Sequence, residues 1–184
     1  DNPVYVIGLG PAPDQLGHLE LTILQQAKVL AGGEELLRPY SDTEAELLPL
    51  RTPLSEWIEE LRRCREQGRF VVVLADGDPL FYGIGSRLCR ELGPDAIRVH
   101  PGVSLLQAAA ARLCLPWRDI ETVSLHGRED TVPLRRALAE SKRIGVYTDP
   151  DHTPADIAAF LTQIGATDFR IYVLENLFRE QERI

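Results

Sequence analysis

The sequence is short of the residues that several common classes of protein require. Its three cysteines, Cys64, Cys89 and Cys114, form no CxxC pair, which excludes a zinc ribbon and a disulfide scaffold. No HExxH motif occurs, so we expect no metal site. The sequence also has neither GxxxxGK[ST] nor GxSxG. These two absences exclude the P-loop nucleotide enzymes and the usual hydrolase elbow.

Positive charge is scarce as well. Lysine and arginine number 20 against 28 acidic residues, which gives a formal net charge of −8. Nucleic acids and anionic membranes need a basic face, so we expect neither as a partner. No apolar run approaches the roughly 18 residues of a membrane span, and we expect no signal peptide. We therefore expect a soluble, cytoplasmic protein.

The apolar pattern predicts strands that alternate with helices. Apolar runs predict strands at 4–7, 29–31, 70–75, 97–100, 122–125, 143–148 and 170–174. Helical spacing and stop signals predict helices within 19–30, 54–68, 85–92, 105–113, 134–140 and 154–164. This alternation indicates an α/β protein with parallel, helix-covered sheets. Pro116-Trp117 interrupts the pattern, so we predict an α/β domain over 1–116 and a smaller, incomplete α/β domain over 117–184.

Ligands of open parallel sheets bind beyond the carboxyl ends of the strands. Five strand-to-helix loops qualify: GLGPAPDQLG (8–17), ADGDPLFYG (75–83), HPGVS (100–104), HGRED (126–130) and TDPDHTP (148–154). The first loop is an incomplete dinucleotide-binding motif. Pro13 stands where the third glycine belongs, and Pro11 removes an amide that would bind pyrophosphate. A tight strand-to-helix turn explains the same residues.

The second loop carries more information than the first. Gly77 and Gly83 are expected to permit positive φ and a close approach of the backbone to a ligand. Asp76 and Asp78 lie two residues apart, whereas a paired-carboxylate hydrolase needs partners that face each other across a cleft. Turn and helix-capping roles explain these acids as well. Phe81-Tyr82 would by default be core residues, but their place in a polar loop makes a ligand wall the alternative.

Three motifs, in this order and spacing, resemble the tetrapyrrole methylases: GLGP (8–11), DGDPLFYGIG (76–85) and PGVS (101–104). The segments SLHGR (124–128), TDPDHTPADIAAFL (148–161) and ENLFREQERI (175–184) resemble the branch of that family that acts at the corrin C5 position. The resemblance covers nearly the whole chain. It implies the tetrapyrrole methylase fold, two α/β domains with S-adenosyl-L-methionine (SAM) bound in the cleft between them. One departure lies in the first loop, where Ala12-Pro13-Asp14 replaces the usual glycine and acid.

The resemblance implies a SAM-dependent C-methyltransferase that acts on a precorrin or cobalt-precorrin ring at C5 in cobalamin biosynthesis. It also implies cofactor-binding residues in both domains: Gly10, Pro11, Asp76, Gly77, Asp78, Phe81, Ser104 and Leu105 in the first, and Thr148, Glu175, Asn176 and Leu177 in the second. It further implies a homodimer, and a C15-methylating, decarboxylating partner that is fused or separate. Another relative, such as a uroporphyrinogen methylase, and a non-catalytic α/β ligand-binding module are the alternatives.

Three further residues are candidates for contact with the substrate. His126 is our candidate for the base that removes a proton after methyl transfer, although a histidine that caps the strand and bonds to backbone is the simpler explanation. Arg128 is expected to pair with a substrate carboxylate. Arginines 51, 118 and 179 are the alternatives to it. Tyr82, beside Phe81, is expected to line the place where cofactor and tetrapyrrole meet.

Overall fold

The computed structural model describes residues 2–12, 16–126 and 130–184. The chain forms two compact units, residues 1–105 and 106–184. In the first unit the strands are β1 (Val4–Gly8), β2 (Val29–Gly32), β3 (Glu46–Pro49), β4 (Val71–Ala75) and β5 (Ile97–His100). Its helices are α1 (His18–Gln25), α2 (Glu34–Leu37), α3 (Leu54–Glu66) and α4 (Ile84–Leu92), with 3-10 turns at Arg38–Tyr40 and Pro94–Ala96.

The first unit is built on a five-stranded sheet of order β3-β2-β4-β1-β5, in which every neighbouring pair is parallel. The central strand β4 is buried along its whole length, as its uninterrupted apolar sequence predicts. Val71 and Val73 face a layer that contains α3 and α4, while Val72 and Leu74 face the layer that contains α1 and α2. The sheet is therefore covered on both faces, and it holds the loops at its carboxyl edge in place.

The apolar face of α3 supplies much of the first core layer. Trp57, Ile58 and Leu61 are all at most 1% exposed. The indole Nε1 of Trp57 donates a hydrogen bond to the carbonyl of Leu48 at 3.3 Å, so the ring's one polar group stays satisfied when it is buried. This bond also ties α3 to the edge strand β3.

In the second unit the helices are α5 (Leu105–Arg112), α6 (Val132–Glu140) and α7 (Pro154–Gln163), with a 3-10 turn at Trp117–Asp119. The strands are β6 (Glu121–Ser124) and β7 (Ile144–Tyr147), which pair in parallel. Val123, Leu125, Leu134 and Ala137 form its small core. The N-terminus of α7 carries a reciprocal capping box, in which the Thr153 and Asp156 side chains each bind the other residue's backbone N–H.

The α/β fold with parallel sheets is confirmed, but two predicted details differ from the structure. Strand β3 was not expected, because Glu46 and Pro49 give its sequence the character of a loop. The predicted strand at 170–174 is wrong: these residues form no hydrogen-bonded strand, and Ile171, Tyr172 and Val173 are 39–51% exposed. A β-like sequence forms a strand only where another strand is there to pair with it.

The second unit begins at Leu106, before the boundary that Pro116-Trp117 predicts. The backbone N–H of Leu106 donates to the Tyr147 hydroxyl at 3.1 Å. A Cβ placed on Gly145 would lie 2.6 Å from Cδ1 of Leu106, so that side chain rests on the glycine of β7. These contacts attach α5 to the second unit. The domain boundary after residue 116 stays a prediction.

Candidate functional site

Three loops at the carboxyl edge of the first sheet contact one another through the backbone of glycines, with no side chain between them. Gly10 and Gly77, from the loops after β1 and β4, form an isolated antiparallel bridge. A Cβ on Gly102 would lie 2.7 Å from both the Gly10 nitrogen and the Gly8 oxygen, and a Cβ on Gly8 would lie 2.5 Å from the Gly102 nitrogen. Such distances leave no room for a side chain. We call Gly8, Gly10, Gly77 and Gly102 the glycine junction.

A pocket of about 180 Å³ opens at the glycine junction. Its lining comes from the loop after β1, the start of α1 and the loop after β5: Gly8, Leu9, Gly10, Leu16, Gly17, Glu20, Pro101, Gly102 and Val103. Among these residues only Glu20 bears a charge. The described lining of this pocket is therefore mainly backbone and apolar surface with a single carboxylate.

The Glu20 carboxylate is held by a histidine that the sequence pattern did not reveal. His100 Nδ1 lies 3.0 Å from Glu20 Oε1, and both side chains are largely buried. The hydrogen bond with His100, followed by bonds from backbone N–H groups, lowers the pKa of Glu20 from its ordinary value. Because His100 ends β5 and Glu20 lies in the first turn of α1, the pair links two of the pocket's three walls.

The loop after β4 separates its two aspartates into different roles. The Asp78 carboxylate accepts a hydrogen bond from the Leu80 N–H at 2.8 Å, which is the turn role expected as the simpler explanation. Asp76 is exposed and makes no hydrogen bond or ion pair with any residue that the structure describes. Its carboxylate is therefore available to a ligand. Gly77, between them, has φ of 57°, as expected.

The expectation of positive φ at Gly83 is wrong, since its φ is −103°. Its lack of a side chain is needed for another reason. A Cβ there would lie 2.6 Å from the Pro79 carbonyl oxygen, so the loop folds back on its own backbone. Tyr82 has the positive φ instead, at 56°, and is 53% exposed. Phe81 packs edge-on against it, with 5.0 Å between ring centroids. An exposed tyrosine in a strained conformation is a feature typical of binding loops.

The remaining first-unit candidates surround the glycine junction. Gly10, Pro11 and Ser104 are buried, and Leu105 is 37% exposed. A Cβ on Gly77 would lie 3.5 Å from Cα of Ser104 and 3.7 Å from the Leu105 nitrogen, which places the loop after β4 beside the loop after β5. The structure therefore brings Gly10, Gly77, Ser104 and Leu105 together at one edge.

Two loops follow the paired strands of the second unit. His126 lies in a turn after β6 and is exposed, without a hydrogen bond to any described residue. Arg128 lies outside the described residues. Thr148 is exposed directly after β7. The Leu125 N–H donates a hydrogen bond to the Tyr147 carbonyl at 3.0 Å. His126 and Thr148 each directly follow one of these two residues, so both lie where the pairing of β6 with β7 ends.

The turn that contains Glu175, Asn176 and Leu177 is held by local contacts. Glu175 and Arg183 exchange two backbone hydrogen bonds, and their side chains pair at 2.8 Å. Asn176 has φ of 51°, and its amide donates to the Gln181 carbonyl at 3.4 Å. Leu177 is 6% exposed. The side chains at 175–177 and the backbone of Glu175 are thus engaged within the turn.

Two classes of function find no support in the described ranges. No group of three or more His, Cys, Asp or Glu side chains there is placed to hold a metal ion. Among the same residues, no helix has the length and apolar character needed to cross a membrane.

The fold and the glycine junction define a class of protein: a parallel α/β protein of two units, whose first sheet has a pocket beyond its carboxyl edge, where ligands of parallel sheets bind. The family can be stated more closely. The chain belongs to the Tetrapyrrole (Corrin/Porphyrin) Methylases, whose family model matches residues 3–184. The resemblance carried by the three loop motifs is thereby confirmed.

Individual relatives give a finer comparison. The chain is 34% identical to the cobalt-precorrin-7 C(5)-methyltransferase of Salmonella typhimurium, over 97% of this chain and 87% of that protein. It is 33% identical to the precorrin-6Y C(5,15)-methyltransferase [decarboxylating] of a Sinorhizobium species, over 97% of this chain but only 43% of that longer protein. The solved structure of the precorrin-6Y methylase from Archaeoglobus fulgidus is 27% identical, with a TM-score of 0.67 over 98% of this chain and 86% of the other.

Proposed function

We propose that this chain transfers a methyl group from SAM to C5 of a precorrin or cobalt-precorrin ring in cobalamin biosynthesis. The observation that carries the proposal is the 34% identity, over nearly the whole chain, to a cobalt-precorrin-7 C(5)-methyltransferase. The similarity to a precorrin-6Y C(5,15)-methyltransferase supports the same ring position, because C5 is the carbon that both names share. The two relatives differ in whether the substrate contains cobalt, so the metal state is left to experiment.

The first unit has the features that a SAM site needs. SAM supplies a methyl group bound to a positively charged sulfur, and it also carries an ammonium group. Asp76 is an exposed carboxylate without a protein partner among the described residues, which suits a cationic ligand. The glycine junction leaves backbone N–H and C=O groups free of side chains for contact with the nucleoside. We therefore assign Gly10, Pro11, Asp76, Gly77, Asp78, Phe81, Ser104 and Leu105 to cofactor binding.

The resemblance assigns residues of the second unit to SAM as well. Thr148 offers an exposed hydroxyl directly after β7. Glu175 pairs with Arg183, and Leu177 is buried. We propose that the turn formed by Glu175, Asn176 and Leu177 also contacts SAM.

A tetrapyrrole of this class carries many carboxylates, so an acidic protein needs local positive charge to bind it. Two of the alternatives to Arg128 are already paired: Arg51 with Glu60, and Arg118 with Asp119 at 3.4 Å. Arg179 also has an interaction within the protein. We propose Arg128, which lies outside the described residues, as the substrate-binding arginine, with Tyr82 as an exposed aromatic surface for the ring.

Two measurements test the proposal in sequence. Titration calorimetry with S-adenosylhomocysteine should detect binding, and its absence would contradict SAM as the cofactor. Mass spectrometry should then detect one added methyl group when cobalt-precorrin-7 or its metal-free counterpart is incubated with SAM. Uroporphyrinogen is the control substrate. Methylation of uroporphyrinogen alone would indicate that the chain belongs to another branch of the family. Binding of S-adenosylhomocysteine without any methyl transfer would indicate a ligand-binding module.

The assembly and location of the chain are also proposals, and they rest on the resemblance. We propose a cytoplasmic homodimer that acts beside a C15-methylating, decarboxylating partner, fused or separate. Sedimentation equilibrium would test the dimer, since a monomeric mass at micromolar concentration would contradict it.

A further inference from the structure

The loop after β7 holds a histidine and an aspartate in the arrangement of a base and its orienting carboxylate. Asp149 Oδ1 accepts hydrogen bonds from the backbone N–H groups of Asp151 at 3.1 Å and His152 at 2.8 Å. The same oxygen lies 3.0 Å from Nδ1 of the His152 ring. An ionised carboxylate can only accept hydrogen bonds, so Nδ1 is the donor in this contact and carries the proton. The lone pair of the neutral ring is therefore on Nε2.

The surroundings hold this ring in place but leave Nε2 accessible. The Asp149 side chain is 6% exposed and the His152 side chain 17%. Nε2 of His152 makes no hydrogen bond with any described residue, and it is not sealed from solvent. The capping box of α7 begins at the next residue, Thr153, and fixes the backbone beyond the ring.

His126, the candidate from the sequence, shows none of these features among the described residues. It is exposed, and no described residue orients its ring. Both histidines follow the carboxyl ends of the paired strands β6 and β7, where ligands of parallel sheets bind. His152 also lies four residues after Thr148, which we assign to cofactor binding. Of the two, His152 has the geometry of a working base.

We propose that Nε2 of His152, oriented by Asp149, accepts the proton that leaves the ring carbon after methylation. This inference rests on the proposed function. When an electron pair of the ring forms the new C–CH3 bond, the S–CH3 bond breaks and its electrons stay on sulfur. The ring carbon then holds both the methyl group and its original hydrogen, and the macrocycle carries one positive charge. Nε2 forms an N–H bond as that C–H bond breaks, and the released pair restores the conjugation. The imidazolium later returns its proton to water.

Substitution with asparagine separates this role from a structural one. The amide nitrogen of an asparagine side chain lies where Nδ1 lies, so His152→Asn keeps the bond to Asp149 and loses the proton acceptor. We expect the single-turnover methylation rate to fall about 100-fold or more, the usual contribution of a general base. Melting temperature and S-adenosylhomocysteine affinity should stay near wild type. Imidazole added to His152→Ala should restore part of the rate. His18→Asn, at an exposed histidine in the first unit, is the matched control.

A spectroscopic measurement tests the geometry without turnover. The ¹⁵N shifts of the four histidine rings should show His152 with a protonated Nδ1 and a bare Nε2, and Asp149→Asn should disturb this tautomer.

Each outcome bears on the proposal. A wild-type rate in His152→Asn, an Nε2-protonated ring, or loss of activity in His126→Ala while His152→Asn stays active would overturn it. If the wild-type protein methylates no precorrin at all, the proposed function fails first, and the inference fails with it.

Discussion

The glycine junction predicts a large effect from adding a single methyl group. In Gly102→Ala the new Cβ would lie 2.7 Å from the Gly10 nitrogen and the Gly8 oxygen and nearer still to the Gly77 oxygen, closer than real Cβ contacts allow. Backbone atoms of a packed sheet cannot swing aside as a flexible side chain would. We therefore expect a loss of about 3 kcal/mol in unfolding free energy, at the upper end of overpacking costs. At 2–4 °C per kcal/mol, the melting temperature should fall by roughly 6–12 °C.

Gly68→Ala is the matched control for this prediction. Gly68 lies in the same unit with φ of 74°, and no atom lies within 4 Å of an added Cβ. The Gly68→Ala substitution should therefore lower the unfolding free energy only by the strain of an alanine at positive φ, about 1 kcal/mol. Unfolding in urea, followed by the fluorescence of the fully buried Trp57, gives both values. Gly102→Ala should also weaken S-adenosylhomocysteine binding, because the loops would separate. A Gly102→Ala protein as stable as Gly68→Ala would refute the backbone contact between the loops.

Three further substitutions test other parts of the account. Asp76→Asn should weaken S-adenosylhomocysteine binding about tenfold by calorimetry, the size of a lost charge-assisted hydrogen bond, while stability stays unchanged because Asp76 has no partner among the described residues. Glu20→Gln should destabilise the protein at neutral pH. The hydrogen bond with His100 lowers the pKa of Glu20 below its ordinary 4.5, so the ionised carboxylate stabilises the folded state above that pH. In urea titrations, the difference in unfolding free energy between wild type and variant should therefore vanish as the pH falls through the lower pKa of the folded state. Arg128→Ala should weaken corrinoid binding and leave S-adenosylhomocysteine affinity near wild type, whereas equal loss of both would indicate a folding defect.

The sheet could be predicted where the sequence pattern is local. The run Val71–Ala75 has no polar residue, which is typical of a central strand covered on both faces, and β4 occupies that place. Strand β3 was missed because an edge strand tolerates Glu46 and Pro49, which a central strand would not. The segment at 170–174 has an apolar, β-branched character, but strand formation depends on a neighbour that its own sequence cannot reveal.

The candidate site was likewise predicted where its signal is local in the sequence, and missed where it depends on residues far apart in the chain. The glycines of the first, second and third loop motifs marked the edge where the loops meet. The Glu20–His100 pair was missed because 80 residues separate its members, and only the packing of α1 beside β5 brings them together. The Asp149–His152 pair is different. Its members lie three residues apart in one loop, so a carboxylate shortly before a histidine at a strand end was a signal open to sequence reasoning.

The most direct test of the central claim is NMR of the product formed with SAM labelled with ¹³C at the methyl group. We expect one labelled methyl group, attached at C5 of the precorrin or cobalt-precorrin ring. A label at any other ring carbon, or on uroporphyrinogen only, would contradict the assignment.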